Sequence, residues 1–134
     1  MIALDTNVLL YACDRADSRR QEIAIDLIAS SRDGVLLWQV ACEFIAASRK
    51  LSAQGFTASQ AWSRLAEFLN LFPLILPTPG VLEGGRQLHA THGVSFWDAL
   101  ILASCAEARV EILYSEDVPG LPTLGSVKVV NPFK

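Results

Sequence analysis

The sequence predicts an α/β fold, a three-layer α/β/α sandwich around a mainly parallel sheet of five strands. Short apolar runs alternate with longer helical patterns along all 134 residues, which is typical of parallel strands connected by helices. Apolar residues make up 51% of the chain, enough to cover both faces of such a sheet. The length fits one domain, so we expect a single domain over residues 1–134.

Each element follows from an apolar run and the residues that bound it. Ile2–Leu4 is a short apolar run that predicts a buried strand, and Asp33 and Gly34 mark the turn before the next strand. Asp17 or Ser18 is placed to cap a helix, whose residues Ile23, Ile25, Leu27 and Ile28 we expect to face partly inward. The N-terminal half thus predicts strands at 2–4 and 35–37, a helical turn at 6–11, and helices at 19–30 and 39–52.

The C-terminal half carries clearer helix caps. Thr57 and Gln60 form a capping box, Pro79 takes the first helical position after Thr78, and Ser95 can cap a third helix. We therefore expect helices at 57–71, 78–89 and 95–108, with strands at 74–76, 112–114 and 127–130. Because two helices separate the second and third strands, the sequence also predicts a helical hairpin.

Composition excludes several classes of protein. No apolar run reaches the roughly 18 residues that a membrane span needs, and the N-terminus lacks the basic start of a signal peptide. Cys13, Cys42 and Cys105 are odd in number and lack zinc-ligand spacing, so we expect free thiols in a reducing cytoplasm. Cys42 and Cys105 lie in apolar helical segments, where we expect buried thiols. The net charge of −3 argues against a grip on nucleic acid through bulk basic charge. It does not exclude a nuclease, because a cluster of carboxylates that holds metal ions itself makes the net charge more negative.

Four acidic residues stand at corresponding places along the chain. Asp5, Glu43, Asp98 and Asp117 each lie at the end of a predicted strand or the start of a predicted helix. A parallel sheet gathers these ends at one edge, where such folds bind ligands. Four clustered carboxylates repel one another unless a cation lies among them, and hard oxygen ligands suit Mg²⁺ or Mn²⁺. The pattern therefore indicates a metal-dependent phosphodiesterase.

Each acid also has a simpler explanation. Asp5 could cap the following turn, Asp98 could complete a capping box after Ser95, and Asp117 could be an ordinary turn residue. Glu43 is harder to explain in this way, because it lies in an apolar helix where a charge should be exposed or paired. One shared site explains all four positions at once.

Five segments of the chain, in order, resemble one known family. They are residues 2–9 (IALDTNVL), 41–44 (ACEF), 97–103 (WDALILA), 113–117 (LYSED) and 129–133 (VVNPF). In residues and spacing they resemble the PIN-domain ribonucleases, and specifically the VapC toxins of type II toxin–antitoxin systems. The resemblance covers nearly the whole chain and implies a PIN-like fold.

The resemblance implies roles for individual residues. Asp5, Glu43, Asp98 and Asp117 match the family's catalytic, metal-binding quartet, with Asp5 and Asp98 as principal metal ligands, and Thr6, Asn7 and Ser115 match the polar residues that support it. It implies an RNA substrate, Mg²⁺ or Mn²⁺ as cofactor, a VapB-like antitoxin as partner, and a homodimer. Glu116 adjoins the fourth acid, but the family pattern places that acid at Asp117. The chain departs from the family at residues 118–122, a stiffer and more apolar loop.

The sequence leaves alternatives open. A catalytically silent binding module of the same fold would have lost part of the quartet, which is complete here. A phosphoaspartyl phosphatase needs a second Asp two residues after the first, where this chain has Asn7. Arg49 and Lys50 could lie near RNA phosphates, although a solvated helix end is the simpler interpretation. Trp97 could lie near the metal, and His89 and His92 fit surface positions at a helix end.

Overall fold

The structure, a computed structural model, describes residues 1–120 and 127–134. Its strands are β1 (Ile2–Leu4), β2 (Gly34–Leu37), β3 (Leu74–Ile75), β4 (Ile112–Tyr114) and β5 (Lys128–Val130). Its α-helices are α1 (Thr6–Ala12), α2 (Ser18–Ser30), α3 (Trp38–Ala47), α4 (Ala58–Leu71), α5 (Pro79–His92) and α6 (Phe96–Glu107). A 3₁₀ helix, Ser48–Gln54, joins α3 to α4. The predicted α/β fold with its five strands is confirmed.

The sheet is parallel and its strand order is β3-β2-β1-β4-β5. The chain moves from β1 to β2 to β3 on one side and then returns to β4 on the other. Right-handed crossovers therefore place α1–α4 on one face and α5 and α6 on the opposite face. In agreement, α1 contacts α2 and α3, α3 contacts α4, and α5 packs along α6. This arrangement is the expected α/β/α sandwich.

The central strands are buried on both faces, as parallel sheets require. Ala3, Leu36 and Leu113 have at most 1% of their surface exposed. The hairpin of α3 and α4 is joined to the core through Phe44 and Phe68, whose rings meet edge to face with centroids 5.5 Å apart. On the other face α5 approaches α6 closely at Gly85, because a Cβ there would lie 2.6 Å from Leu100 Cδ2.

Several helix and strand ends differ from the expected ones. The predicted helix at 39–52 is divided, because the α-helix ends at Ala47 and tightens into the 3₁₀ helix, which closes at Gly55 with a φ of +81°. The last helix before α6 continues three residues further than expected, to His92, where Gly93 takes the left-handed conformation that ends it. The third strand stops at Ile75, since Pro77 cannot donate to a sheet.

Two side chains point differently from the expectation. Ile25 is 46% exposed on α2 rather than turned inward, because Ala24 occupies the buried position of that turn. Cys42 is exposed on α3, whereas Cys13 and Cys105 are buried, and all three thiols are free.

Of the apolar loop at 118–122, residues 121 and 122 lie outside the described residues. Within the described ranges, no helix is long and apolar enough to cross a membrane.

Candidate active site

The order of the strands creates a switch point between β1 and β4. The chain leaves β1 toward β2 on one side, while β4 occupies the other side of β1. Segments that follow these two strands diverge, and in open α/β sheets the crevice between them binds ligands. The register pairs Leu4 with Tyr114, so the next residues, Asp5 and Ser115, leave the sheet side by side. The first and fourth acidic segments therefore meet at this crevice.

A cleft of about 760 Å³ opens at the switch point, and all four acids of the expected quartet line it. Asp5 caps α1, Glu43 lies in the second turn of α3, Asp98 lies in the first turn of α6, and Asp117 follows β4. Thr6 and Asn7 also line the cleft, whereas Ser115 is buried behind it with 2% exposure. The structure thus brings the seven residues together.

Asp5 is the most buried of the four acids, with 7% exposure. Its Oδ1 accepts a hydrogen bond from the backbone N–H of Thr6 at 2.8 Å, and its Oδ2 accepts one from Ser115 Oγ at 2.7 Å. Asp5 therefore does cap α1, as its simpler explanation requires, while lining the cleft. Thr6 contributes its backbone, and its buried Oγ1 has no hydrogen-bond partner within the described residues.

Asn7 and Ser115 connect the first acid to the fourth. Asn7 Nδ2 donates to Asp117 Oδ2 at 3.2 Å and to Asp5 Oδ2 and Ser115 Oγ at 3.4 Å each. Ser115 Oγ accepts the backbone N–H groups of Asp117 at 3.1 Å and Val118 at 3.0 Å. We call Asp5, Asn7, Ser115 and Asp117 the strand-side network. It fixes two carboxylates in one hydrogen-bonded unit.

Glu43 is tied to the backbone next to Asp98 by a residue that the sequence analysis did not single out. Gln39 Nε2 donates to Glu43 Oε1 at 2.9 Å and also to the carbonyl oxygen of Trp97, beside Asp98, at 3.1 Å. Both partners are acceptors, so only the amide nitrogen can occupy this position. The spacing of four residues between Gln39 and Glu43 was the available signal, because such residues are neighbours on a helix.

The cleft concentrates negative charge. Burial raises the pKa of Asp5, and the charges of Asp98 and Asp117 add to this, while the hydrogen bond from Ser115 opposes it. Burial also raises the pKa of Glu43, with further increases from Asp5 and Asp98. In the described part of the chain none of the four acids takes part in a salt bridge. A bound cation would relieve this repulsion.

The side chains of the cleft offer oxygen donors that suit a divalent cation, but they do not form a closed set of ligands. Carboxylate, amide and hydroxyl oxygens are the donors that Mg²⁺ and Mn²⁺ prefer. Across residues 1–120 and 127–134, however, no three His, Cys, Asp or Glu side chains are grouped closely enough to enclose a metal ion as they stand. The cleft is therefore open, and holding a cation would draw its carboxylates together.

Glu116 has partners of its own, which distinguishes it from Asp117. It accepts hydrogen bonds from Tyr11 Oη at 2.6 Å and from Arg20 Nε at 3.3 Å. The hydrogen bond to Glu116 raises the pKa of Tyr11 to about 12. Since Glu116 is neutralised by Arg20, Asp117 is the acid of this segment that keeps an unpaired charge at the cleft.

The remaining candidates fall into two groups. His89 has a structural role, because its ring Nδ1 forms a hydrogen bond with the carbonyl oxygen of Val94 at 2.7 Å across the end of α5. Trp97 is 64% exposed beside Asp98, outside the set of residues that line the cleft. Arg49 and Lys50 do line the cleft, which favours the interpretation that placed them near a substrate.

Comparison with known proteins gives a family and a fold. A model of the PIN domain family matches residues 2–118. No curated protein matches the chain significantly. Among solved structures, the chain is similar to VapC20 of Mycobacterium tuberculosis, a sarcin-ricin loop cleaving toxin, with 20% identity, a TM-score of 0.70, and coverage of 87% of this chain and 90% of that chain.

Two toxin–antitoxin complexes are also similar in fold. For the complex from Klebsiella pneumoniae the identity is 20%, the TM-score is 0.68, and 98% of each chain is covered. For VapBC2 of Rickettsia felis, bound to a DNA fragment from its promoter, the identity is 18%, the TM-score is 0.69, and 98% of each chain is covered. At these identities the likeness establishes a shared fold.

Proposed function

This chain belongs to the PIN domain family, and on that premise we propose that it is a metal-dependent RNA endonuclease, the toxin of a type II toxin–antitoxin pair. The observation that carries the proposal is the cleft at the switch point, which Asp5, Glu43, Asp98 and Asp117 reach from four separate segments. The similar sarcin-ricin loop cleaving toxin supports single-stranded regions of structured RNA as the substrate class. Residues 1–134 would act as one domain.

The chemistry requires carboxylates from separate segments. Hydrolysis of a phosphodiester places negative charge on the phosphate and on the leaving 3′ oxygen. Mg²⁺ or Mn²⁺, when bound, supplies positive charge there and favours ionisation of the attacking water. In the proposed site Asp5 and Asp98 are the principal ligands, and Glu43 and Asp117 complete the set. Asn7 and Ser115 hold Asp5 and Asp117 in orientation.

The test is a cleavage assay of the purified chain on an RNA with a single-stranded loop. We expect cleavage with Mg²⁺ or Mn²⁺ and none in EDTA. Asp5→Asn keeps the shape of the side chain but removes a charge that holds the cation. Losing about 2.7 kcal/mol of transition-state stabilisation would slow cleavage about 100-fold. Asp26→Asn, on the exposed surface of α2, is the matched control and should cleave normally. Equal cleavage in EDTA, or by Asp5→Asn, would contradict the proposal.

The alternative is a catalytically silent PIN-like binding module. The open spacing of the carboxylates favours it, because no closed group of metal ligands exists among the described residues. The same assay decides between the two functions. RNA that binds the chain but stays intact in Mg²⁺ and in Mn²⁺ would establish the binding module.

We further propose that the chain pairs with itself and with a VapB-like antitoxin in the cytoplasm. Two similar structures are toxin–antitoxin complexes, and free thiols fit a reducing compartment. On the hairpin, Trp62 and Leu71 are 60% and 58% exposed, which supports partner contacts within residues 40–71. A basic side chain of the antitoxin, such as Arg, would pair with the carboxylates of the cleft.

The dimer has a direct test. Sedimentation of antitoxin-free protein at micromolar concentration should give about twice the chain mass of 14.6 kDa. A strictly monomeric chain would contradict the homodimer while leaving the nuclease site unaffected.

A further inference from the structure

We propose that Arg49 and Lys50 form a basic rim that binds RNA phosphates beside the carboxylates, an inference that rests on the function proposed above. The chain has 11 Lys and Arg residues, all within its described part. Among them only Arg49 and Lys50 line the cleft. A chain with a net charge of −3 and four acids at its site must gather cations locally to hold a polyanion.

The 3₁₀ helix that carries these two residues is firmly anchored. Leu51 is 7% exposed and belongs to the core, and Ser48 Oγ donates to the carbonyl oxygen of Ile45 at 2.8 Å. The neighbouring side chains are thus turned inward, while Arg49 and Lys50 remain exposed at the cleft.

The far end of the 3₁₀ helix is tied to the loop after α1. Gln54 Nε2 donates to Asp14 Oδ1 at 2.6 Å, and Gln54 Oε1 accepts the backbone N–H of Arg15 at 2.9 Å. The guanidinium of Arg15 also donates to the carbonyl oxygen of Gln54 at 2.6 Å. The backbone that carries the rim is therefore held in place from both ends, so a ligand has only the two side chains of the rim to order.

The charges of the rim are free for a ligand. Arg20, Arg64 and Arg86 are each paired with Asp or Glu side chains. By contrast, across residues 1–120 and 127–134 neither Arg49 nor Lys50 forms a salt bridge or a side-chain hydrogen bond within the chain. Two unpaired cations beside an acidic site are suited to a ligand that carries several negative charges.

The offset from the carboxylates indicates which phosphates the rim contacts. Arg49 follows Glu43 by six residues, four along α3 and two along the 3₁₀ helix, which is about 10 Å at about 1.5 and 2.0 Å per residue. A phosphate held at the carboxylates is therefore flanked by the rim, which binds phosphates next to the one that is cut. Such contacts position the strand without reading its bases.

The experiment compares two neutralised variants of equal net charge. Arg49→Gln/Lys50→Gln removes the rim, and Arg32→Gln/Lys128→Gln removes two exposed cations that precede β2 and begin β5 at the opposite edge of the sheet. Binding of a fluorescein-labelled, unpaired RNA oligonucleotide is measured by anisotropy over a series of salt concentrations, on the Asp5→Asn chain to prevent cleavage. Steady-state cleavage is measured on the otherwise unsubstituted chain.

Losing two phosphate contacts on a single strand should reduce the slope of log K against log salt by about 1.4. The same loss weakens binding roughly 25-fold at 0.1 M salt, equally for RNAs of different sequence. In cleavage, KM should rise while kcat stays near that of the unsubstituted chain, and the control variant should change none of these quantities.

The outcomes separate the rim from the nuclease. A chain that cleaves RNA but whose KM and salt slope are unchanged in the rim variant overturns this inference alone. An equal loss in the control variant also overturns it, because bulk charge would then be responsible. A chain that neither binds nor cleaves RNA overturns the proposed function, and the rim with it.

Discussion

The two sides of the cleft hold their carboxylates in different ways. On the strand side, Asn7 and Ser115 join Asp5 to Asp117 through hydrogen bonds that are buried or half-buried near Asp5 and exposed between Asn7 and Asp117. On the helix side, Glu43 receives the amide of Gln39, while Asp98 contributes its backbone N–H to the Ser95 cap of α6. The first pair is fixed by a network, and the second mainly by the placement of two helices.

The contrast shows which part of the site is preorganised. The strand-side network stands on the register that pairs Leu4 with Tyr114, so its geometry is built into the sheet. The hydrogen bonds in its buried part, around Asp5 and Ser115, reinforce one another. Glu43 is about half-buried and has one amide partner, so it can move with α3. We infer that the strand side sets the position of a bound cation and that the helix side adjusts to it.

Among the variants that test this contrast between the two sides, the largest effect should come from removing the centre of the strand-side network with Ser115→Ala. Asp5 Oδ2 loses its 2.7 Å donor, and the N–H groups of Asp117 and Val118 lose their acceptor. Unsatisfied groups of this kind cost about 1–3 kcal/mol of unfolding free energy, measurable by urea denaturation. Groups that orient metal ligands typically matter about 10–100-fold, so RNA cleavage should fall by at least about tenfold.

Ser31→Ala is the matched control for that variant. Ser31 is 4% exposed and donates to the carbonyl oxygen of Leu27 at 2.7 Å, at the end of α2 away from the cleft. Ser31→Ala should lower the free energy of unfolding by about 1 kcal/mol and leave RNA cleavage unchanged. If both variants lost stability and cleavage equally, the strand-side network would have no special role.

An intermediate effect is expected from Gln39→Leu on the helix side. The substitution removes the amide that joins Glu43 to the Trp97 carbonyl but exposes no buried hydrogen-bonding group of the strand side. Unfolding free energy should change by no more than about 0.5 kcal/mol, as is usual for partly exposed positions. The Mg²⁺ concentration for half-maximal cleavage should rise by up to about tenfold.

Gln87→Leu provides the comparison, because Gln87 donates to Glu83 at the same four-residue spacing on the exposed surface of α5. That variant should leave the Mg²⁺ dependence unchanged. An unaltered Mg²⁺ dependence in Gln39→Leu as well would show that Gln39 does not position Glu43.

The sequence was sufficient to predict the fold and the edge of the sheet where the acids gather. The fold follows from the alternation of short apolar runs with helical patterns, and the edge follows from the position of the acids at strand ends and helix starts. It was insufficient for the contacts within the site. The bond between Asn7 and Ser115 joins residues 108 positions apart and depends on the register of β1 and β4. The division of the helix at 39–52 depends on the burial of Ser48 and Leu51, which tertiary packing decides. For the same reason the orientation of Ile25 could not be read from helical spacing.

The smallest effect is expected from Glu43→Gln in EDTA, where the direction of the change in melting temperature is the informative result. Burial raises the pKa of Glu43 above its ordinary value of 4.5, so the folded chain binds this proton more tightly than the unfolded chain does. Stability must then fall as the pH rises from about 4.5 through the raised pKa, because the carboxylate becomes charged in a place that disfavours it. Glutamine keeps the acceptor for Gln39 and removes the charge. The variant should therefore melt slightly higher than the unsubstituted chain at neutral pH, and this advantage should vanish below about pH 4.

Glu22→Gln, exposed on α2, is the control for Glu43→Gln and should show no such difference in melting temperature. Adding Mg²⁺ should reverse the order at neutral pH, because the unsubstituted chain gains more stability from a bound cation. A Glu43→Gln chain that melts lower in EDTA at neutral pH would show that Glu43 is stabilised as a carboxylate without a cation, and the contrast between the two sides of the cleft would then fail.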